Sequence, residues 1–592
     1  MKSRFQHRLW FLVVALIGWP GSTQVTADDR EIGAPNVIVI MTDDQGWGDL
    51  GFHGNPVIRT PHLDQLAEAS VRLPYFYVSP VCAPTRASLM TGRYNYRTRA
   101  IDTYRGRALM DPAEITLAQR LRTGGYRTGL FGKWHLGDTW PLRPIDRGFD
   151  TALVHRGGGI GQPSDPPGGE NKYSNPILFR DGIAEVQQGY CTDVFFREGM
   201  TWANQAIDAR KPFFLCLMTN APHGPLGDVP PAQYEHHRQT PITPDRFPPT
   251  PGHPLPSALN ADELARVYAM IENIDDNVGR LLAWLAERNL TRNTLVLFLT
   301  DNGVATAGYN GGLRSRKGDV YEGGIRSPLF ACWPGRLTPG EGPTHPAAHI
   351  DLAPTILEAC GLPHDDKLFD GRSLWPLLTR QQVDWPERTL FVQSHRGDVP
   401  QAEHHFAARS SRWKLVRSSG FGNEQPDPKT PWELFDMQTD PYETKNVAEQ
   451  HPELVAELRR QYTAWFTDVS QTRPDNYAPV RLAIGSPHEN PTVLTRQDWR
   501  GADWRPDDRG HWEIDVVESG QFDVTVRWAA RTTAVDIELE VAGVRLRETA
   551  AAETTELVLK DLALPSGPAR VEATVWVGNR PAGVRFVEFL RR

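Results

Sequence analysis

Three stretches of the chain carry apolar residues at nearly every position rather than at every second one: Val37-Ile38-Val39-Ile40-Met41, residues 294–299 and, less cleanly, residues 212–218. A strand covered on both faces has no polar side to show. Such runs therefore predict the inner strands of a parallel sheet lying between helices. Between them the spacing becomes helical. Thr60-Pro61 supplies a cap and a first-turn proline to a segment continuing through Leu63, Leu66 and Ala67, and a longer helical segment spans residues 262–288. This alternation predicts an α/β fold.

Two proline- and glycine-rich stretches, 157–169 and 230–256, interrupt the pattern and predict long surface loops that shape a cleft. A second unit begins near Leu390, with strand-like segments at 413–416 and 432–436 and a closing helix over 452–468. Past Arg473 the character changes. Segments 511–517, 522–528, 535–541 and 569–576 alternate apolar and polar residues between Gly, Pro, Asp and Asn turns, which predicts a β-sandwich.

Composition narrows the function. With 592 residues, 40% of them apolar, the chain can bury more than one core. A net charge of -8 and the lack of any long Lys/Arg run argue against nucleic-acid binding. Lys2, Arg4 and Arg8 precede an apolar stretch over residues 9–19, and Val25-Thr26-Ala27 offers the small residues a signal peptidase reads. An exported protein, periplasmic or extracellular, is expected, maturing near Asp28. The apolar stretch is too short to span a bilayer and no other is long enough, so no stable membrane insertion is expected. The expected organisation is a leader over 1–27, an α/β domain over 28–385, an α+β subdomain over 386–470 and an accessory β-sandwich over 473–592. Of five cysteines (Cys82, Cys191, Cys216, Cys332, Cys360) one is spare; the other four can pair in three ways or stay reduced.

Candidate chemistry follows the buried strands. Val37–Met41 leads into Thr42-Asp43-Asp44, and 294–299 into Thr300-Asp301-Asn302. Ligand sites of open α/β sheets lie at the carboxyl ends of strands, so these dyads can converge into an all-oxygen cage. Ca²⁺ and Mg²⁺ choose such donors, and no Cys/His pair has zinc spacing. Two further strand ends carry Lys133-Trp134-His135 and Thr219-Asn220-Ala221-Pro222-His223. Cations, proton donors and oxygen ligands together suit an anionic ester and its departing alcohol.

The most specific segment is Cys82-Ala83-Pro84-Thr85-Arg86, followed by Leu89-Met90-Thr91-Gly92-Arg93. It resembles the Cys-x-Pro-x-Arg signature of the type I sulfatases, with its Thr-Gly-Arg companion; Thr85 stands where many members have serine. The resemblance spans roughly residues 35–470. It includes Thr42-Asp43-Asp44-Gln45-Gly46, Gly132-Lys133-Trp134-His135-Leu136-Gly137, Pro222-His223, Thr300-Asp301-Asn302-Gly303, Lys317-Gly318 with Glu322-Gly323-Gly324, and Trp432-Glu433-Leu434-Phe435-Asp436 with Asp440-Pro441 and Glu443. It implies an alkaline-phosphatase-like fold, a central mixed, mostly parallel sheet between helices.

The resemblance also implies a mechanism. A separate formylglycine-generating enzyme oxidises Cys82 to Cα-formylglycine, which makes Cys82 the spare cysteine. The hydrated aldehyde attacks sulfur through one hydroxyl and releases sulfate by collapse of the other, a two-step covalent route. Asp43, Asp44, Asp301 and Asn302, with residue 82, hold one Ca²⁺. Arg86 supports the hydrated aldehyde, Lys133 and Lys317 clamp sulfate oxygens, His135 is the base, and His223 with Lys317 serves the leaving alcohol. A helix starting at Cys82 would favour the anionic sulfate.

Two other readings compete. One is a phosphoester or phosphonate hydrolase of the same superfamily. The other is a glycan-binding protein with an inactive catalytic part, suggested by Trp499, Trp504, Trp512 and Trp528 in the tail. The loop His155-Arg156-Gly157-Gly158-Gly159-Ile160-Gly161-Gln162 resembles one in bacterial polysaccharide sulfatases. It points to a sulfated carbohydrate, with a galactose or N-acetylgalactosamine sulfate as the guess. Arg105, His155, Arg156 and His395 are candidates for sugar subsites.

Overall fold

The computed structural model describes residues 33–592, save 382–384, 473, 474, 476, 506 and 507. The leader read over 1–27 lies outside the described residues.

The continuous apolar runs form the inner strands Asn36–Thr42, Phe213–Met218 and Thr294–Thr300, with every residue buried. The reason is visible in one strand. Val37, Val39 and Met41 enter one hydrophobic core while Ile38 and Ile40 enter another on the opposite face. Parallel strands stand in the order Thr294–Thr300, Asn36–Thr42, Phe213–Met218, Arg127–Lys133, Thr151–His155. Antiparallel neighbours, Leu329–Cys332 on one side and Ile177–Arg180 on the other, make the sheet mixed. Pro61–Glu68, Cys191–Asp208 and Ala261–Glu287 cover one face. Cys82–Thr91, Leu117–Thr123 and Leu352–Ala359 cover the other. Among the described residues no helix is long and apolar enough to cross a membrane.

Residues 157–169 contain neither helix nor strand, as expected. The stretch 230–256 differs from the expected loop. Pro231–Gln239 is a helix packed on Ala261–Glu287, with His237 Nε2 2.8 Å from Glu272 Oε2. Pro230-Pro231 reads as a breaker, but a proline in the first helical turn gives up an N–H that has no helical partner anyway.

After the α/β part come four antiparallel strands, Leu390–Gln393, Phe406–Arg409, Trp413–Arg417 and Glu433–Asp436, and the helix Pro452–Ser470. The fully buried Lys414 ammonium lies 2.9 Å from Glu322 and 2.7 Å from Glu443. It joins this sheet to the segment that carries Lys317.

The C-terminal region builds two further sheets. One contains His511–Val516, Val535–Val541 and Gly567–Val577; the other contains Thr492–Thr495, Gly520–Arg527, Glu556–Leu564 and Phe586–Arg591. They enclose a core holding Trp499, Trp512 and Trp528, which are therefore not sugar platforms. Leu109 and Leu142 of the α/β part belong to that same core, so the β region is packed onto its neighbour. Cys191, Cys216, Cys332 and Cys360 are buried free thiols, the unpaired one of the alternatives left open above.

Candidate active site

Strand register assembles the site. Thr42 stands opposite Thr300, and Met218 lies level with both Met41 and Gly132. The next residues along each strand therefore emerge at one edge: Asp43, Asp301, Thr219 and Lys133. Gly132 is required there, since a Cβ would lie 1.8 Å from the Met218 carbonyl oxygen at a φ of +131°.

Cys82 is the first residue of the helix Cys82–Thr91 and is buried. Its Sγ lies 3.3 Å from His135 Nδ1. His135 Nε2 is 2.8 Å from the Thr103 carbonyl oxygen, which can only accept, so Nε2 carries the hydrogen and Nδ1 faces Cys82 as an acceptor. Burial, with the Lys133 cation, holds His135 well below the usual imidazole range and keeps it neutral. Burial also pushes the Cys82 thiol up, although Lys133 and Lys317 pull the other way. An unmodified thiol here is a weak nucleophile.

Three carboxylates face three cations. Arg86 donates to Asp301 Oδ2 from Nε and Nη2, at 3.1 and 2.8 Å, and from Nη1 to the Lys133 carbonyl oxygen at 2.8 Å. Lys133 pairs with Asp43, and Lys317 with Asp44. Asn302 Nδ2 donates to Asp44 Oδ1 at 2.9 Å. Burial raises Asp43 and lifts Asp301 to about 6. Burial acts upward on Asp44 too, but Lys317 and His223 outweigh it and hold this carboxyl below its usual range. His223 Nδ1 lies 2.7 Å from the Gly224 carbonyl oxygen and Nε2 3.8 Å from Asp44 Oδ2; burial and the two lysines lower it to about 4.

The donor set fits a hard cation. Ligand atoms of Asp43, Cys82 and Asp301 lie within 4.8 Å of one another, as do those of Asp43, Asp44 and His223. Asp43 Oδ1 and Asn302 Oδ1 are buried oxygens without a hydrogen-bond donor, an arrangement that costs free energy unless something positive meets them.

Above this floor lies a cavity of about 410 Å³, lined by Cys82, His135, His223 and Lys317 and by Thr103, Tyr104, Gln162, Arg396, Phe421, Asp503 and Trp504. The four subsite candidates take other places. His155 is buried 3.0 Å from Asp165, Arg156 lies over Phe179, and His395 is buried in backbone contacts. Arg105 pairs with Glu424 and Asp503 behind the wall. Arg396, the neighbour of His395, is the residue that reaches the cavity. Asp503 and Trp504 come from the β region, as does Gln497, whose amide donates to the Thr103 carbonyl oxygen at 2.8 Å. Apart from Cys82, His135, His223 and Lys317, only Gln162, in the glycine-rich loop, and Trp504, among the tail tryptophans, carried any signal in the sequence.

The sulfatase family profile matches residues 35–362, more than half of the chain. The chain belongs to the sulfatase family. A second profile, the C-terminal region of N-sulphoglucosamine sulphohydrolase, matches residues 316–468 of this sulfatase. Arylsulfatase A of Bos taurus is 32% identical, covering 82% of this chain and 95% of that protein. N-acetylgalactosamine-6-sulfatase of Canis lupus familiaris is 30% identical, covering 65% and 74%. Among solved structures, Ps i-CgsB in complex with k-i-k-neocarrahexaose superposes with a TM-score of 0.63 at 28% identity, covering 74% of this chain and 94% of the other. A phosphonate monoester hydrolase from Silicibacter pomeroyi, at 23% identity and a TM-score of 0.55, shares the fold. The sulfatase is a sulfuric ester hydrolase of the alkaline-phosphatase-like superfamily.

Proposed function

We propose that this enzyme, exported from its cell, removes sulfate from a sulfated glycan with a formylglycine at position 82 as nucleophile. One observation carries the reading: Cys82 opens a helix with His135 Nδ1 at 3.3 Å, and its sulfur shares a site within 4.8 Å with the carboxylates of Asp43 and Asp301. A buried thiol with a raised pKa suits neither attack on sulfur nor release of a bound sulfate. The aldehyde that a maturing enzyme would install supplies both.

Asp43, Asp44, Asp301 and Asn302 would hold a Ca²⁺, which when bound stabilises charge on sulfate oxygens. The chain's own residues do the rest. Arg86 is fixed between Asp301 and the backbone, so it holds one orientation beside residue 82. His135 takes a proton at Nδ1 because Nε2–H is already given to Thr103. Lys133 and Lys317, freed from carboxylates that meet a cation, hold sulfate oxygens. His223 and the Lys317 ammonium, which line the same cavity, support the departing oxygen together. One relative is an N-acetylgalactosamine-6-sulfatase and Ps i-CgsB is in complex with k-i-k-neocarrahexaose, which supports a sulfated glycan, with N-acetylgalactosamine or galactose sulfate as the first to try.

The matured protein is expected to hydrolyse 4-nitrophenyl sulfate and galactose or N-acetylgalactosamine sulfates far faster than 4-nitrophenyl phosphate. Cys82→Ala abolishes turnover while the circular dichroism spectrum stays native. Faster phosphate hydrolysis, or an active Cys82→Ala protein, would overturn the reading.

A further inference from the structure

Beside the catalytic cavity lies a second one of about 300 Å³. The two share Gln162 and Trp504. One side of the second cavity is the loop around Gly161–Asn171, the other is β-region chain, chiefly Arg496, Arg585 and Phe586. Trp504 is held as a partition between them. Its Nε1 donates to the Arg496 carbonyl oxygen at 3.1 Å, and its ring meets Tyr104 edge-on at 5.2 Å. An indole that lines both cavities offers each of them flat apolar surface of the kind a pyranose ring can pack on.

The charge in the second cavity is unsettled. Arg496 is only 8% exposed; its Nη2 donates to the Arg505 carbonyl oxygen and its guanidinium lies 4.4 Å from the centre of the Trp499 ring, while its Nε is left without a hydrogen-bond partner. A buried donor left unmet costs free energy, more so on a cation. Burial lowers its pKa and the neighbouring Arg585 cation lowers it further, against the pull of Asp508. The acids opposite are mostly engaged. Asp165 accepts from the backbone N–H of Gly161 and Asn171 and faces His155. Glu170 meets Arg585 at 3.4 Å, with both side chains partly exposed, where an ion pair contributes little.

We infer that this second cavity is a subsite for the sugar next to the sulfated one, that this neighbour bears an anionic group held by Arg496 and Arg585, and that the natural substrate is therefore an oligosaccharide or polymer. The anion is a second sulfate ester or a carboxylate, chemistries that two guanidinium groups accept alike. This rests on the sulfatase reading and extends it to substrate size and charge pattern. It also gives the β region a role in recognition: Trp504 and both arginines lie beyond residue 468, where the family profiles end.

The test compares kcat/KM of the matured enzyme on five probes: 4-nitrophenyl sulfate, a galactose monosulfate, and three disaccharides carrying that sulfated galactose next to a neutral sugar, a sulfated sugar or a hexuronate. At least one anionic-neighbour disaccharide is expected to exceed the monosaccharide by about tenfold or more, the worth of one charge-assisted hydrogen bond, while the neutral one does not. Which of the two gains identifies the anion. Arg585→Ala, at a side chain 52% exposed and safe for the fold, should lower the disaccharide-to-monosaccharide ratio by a similar factor. A kcat/KM indifferent to the neighbour's charge, or a ratio unchanged in Arg585→Ala, overturns the subsite and leaves the sulfatase reading standing. Failure on every sulfate ester overturns both.

Discussion

A Cβ built on Gly158 would lie 2.6 Å from His135 Nε2 and 2.5 Å from Gln162 Oε1. The glycine-rich loop thus rests directly on the proposed base, and any side chain there pushes the imidazole off the Thr103 carbonyl that sets its tautomer. Gly158→Ala is expected to lower kcat on 4-nitrophenyl sulfate by about a hundredfold, the usual cost of displacing a catalytic group by about an ångström, with little change in melting temperature. Wild-type kcat in this variant would show that the contact is tolerated. At this scale the sequence was legible where chemistry is written in adjacent residues: Asp43-Asp44, Asp301-Asn302, Lys133 with His135, and Cys82 with Arg86. It was not legible where a role depends on contact alone. Nothing local distinguishes Gln497, which reaches the carbonyl of Thr103, or Arg396, which reaches the cavity in place of His395.

Among secondary-structure elements, the late motif around Glu433 and Glu443 acquires a physical meaning through Lys414. This strand residue, wholly out of solvent, neutralises Glu322 at the start of the short helix Glu322–Ile325 and Glu443 in the turn after Glu433–Asp436. Removing the ammonium strips Glu443 of its cation and leaves Glu322 with Arg326, at 3.7 Å, and the Tyr77 hydroxyl. Lys414→Met should destabilise the protein by about 3–5 kcal/mol, seen as a lower urea midpoint, and adding Glu322→Gln with Glu443→Gln should recover part of the loss. An unchanged midpoint in Lys414→Met would mean the pair is already relieved by other means. Spacing predicted the elements well where both faces or one clear stripe are buried, as in Asn36–Thr42 and Ala261–Glu287. It failed at Pro231–Gln239, where paired prolines and a mean polarity typical of loops hid a helix held by packing on Ala261–Glu287 and by His237 against Glu272.

Across the whole molecule, the β region is part of the enzyme's active end. Its core includes Leu109 and Leu142, Gln497 steadies the carbonyl behind His135, and Trp504 walls the cavity. The alternation past Arg473 revealed two sheets but not where they lean, because contacts such as Tyr104 with Trp504 join positions far apart in the chain. Ending the chain at residue 478 should therefore cost activity even on 4-nitrophenyl sulfate, by about tenfold or more, and expose Leu109 and Leu142 to solvent. Full aryl-sulfatase activity in that truncation would make the β region an independent appendage.

The chemistry of the whole site depends on what residue 82 becomes. The mass of the peptide containing Cys82, taken from protein matured in a host with a formylglycine-generating enzyme, decides it. Replacing CH₂–SH by CHO lowers that mass by about 18 Da, and this is the predicted result. A peptide wholly at the thiol mass, from protein that still hydrolyses sulfate esters, would contradict it.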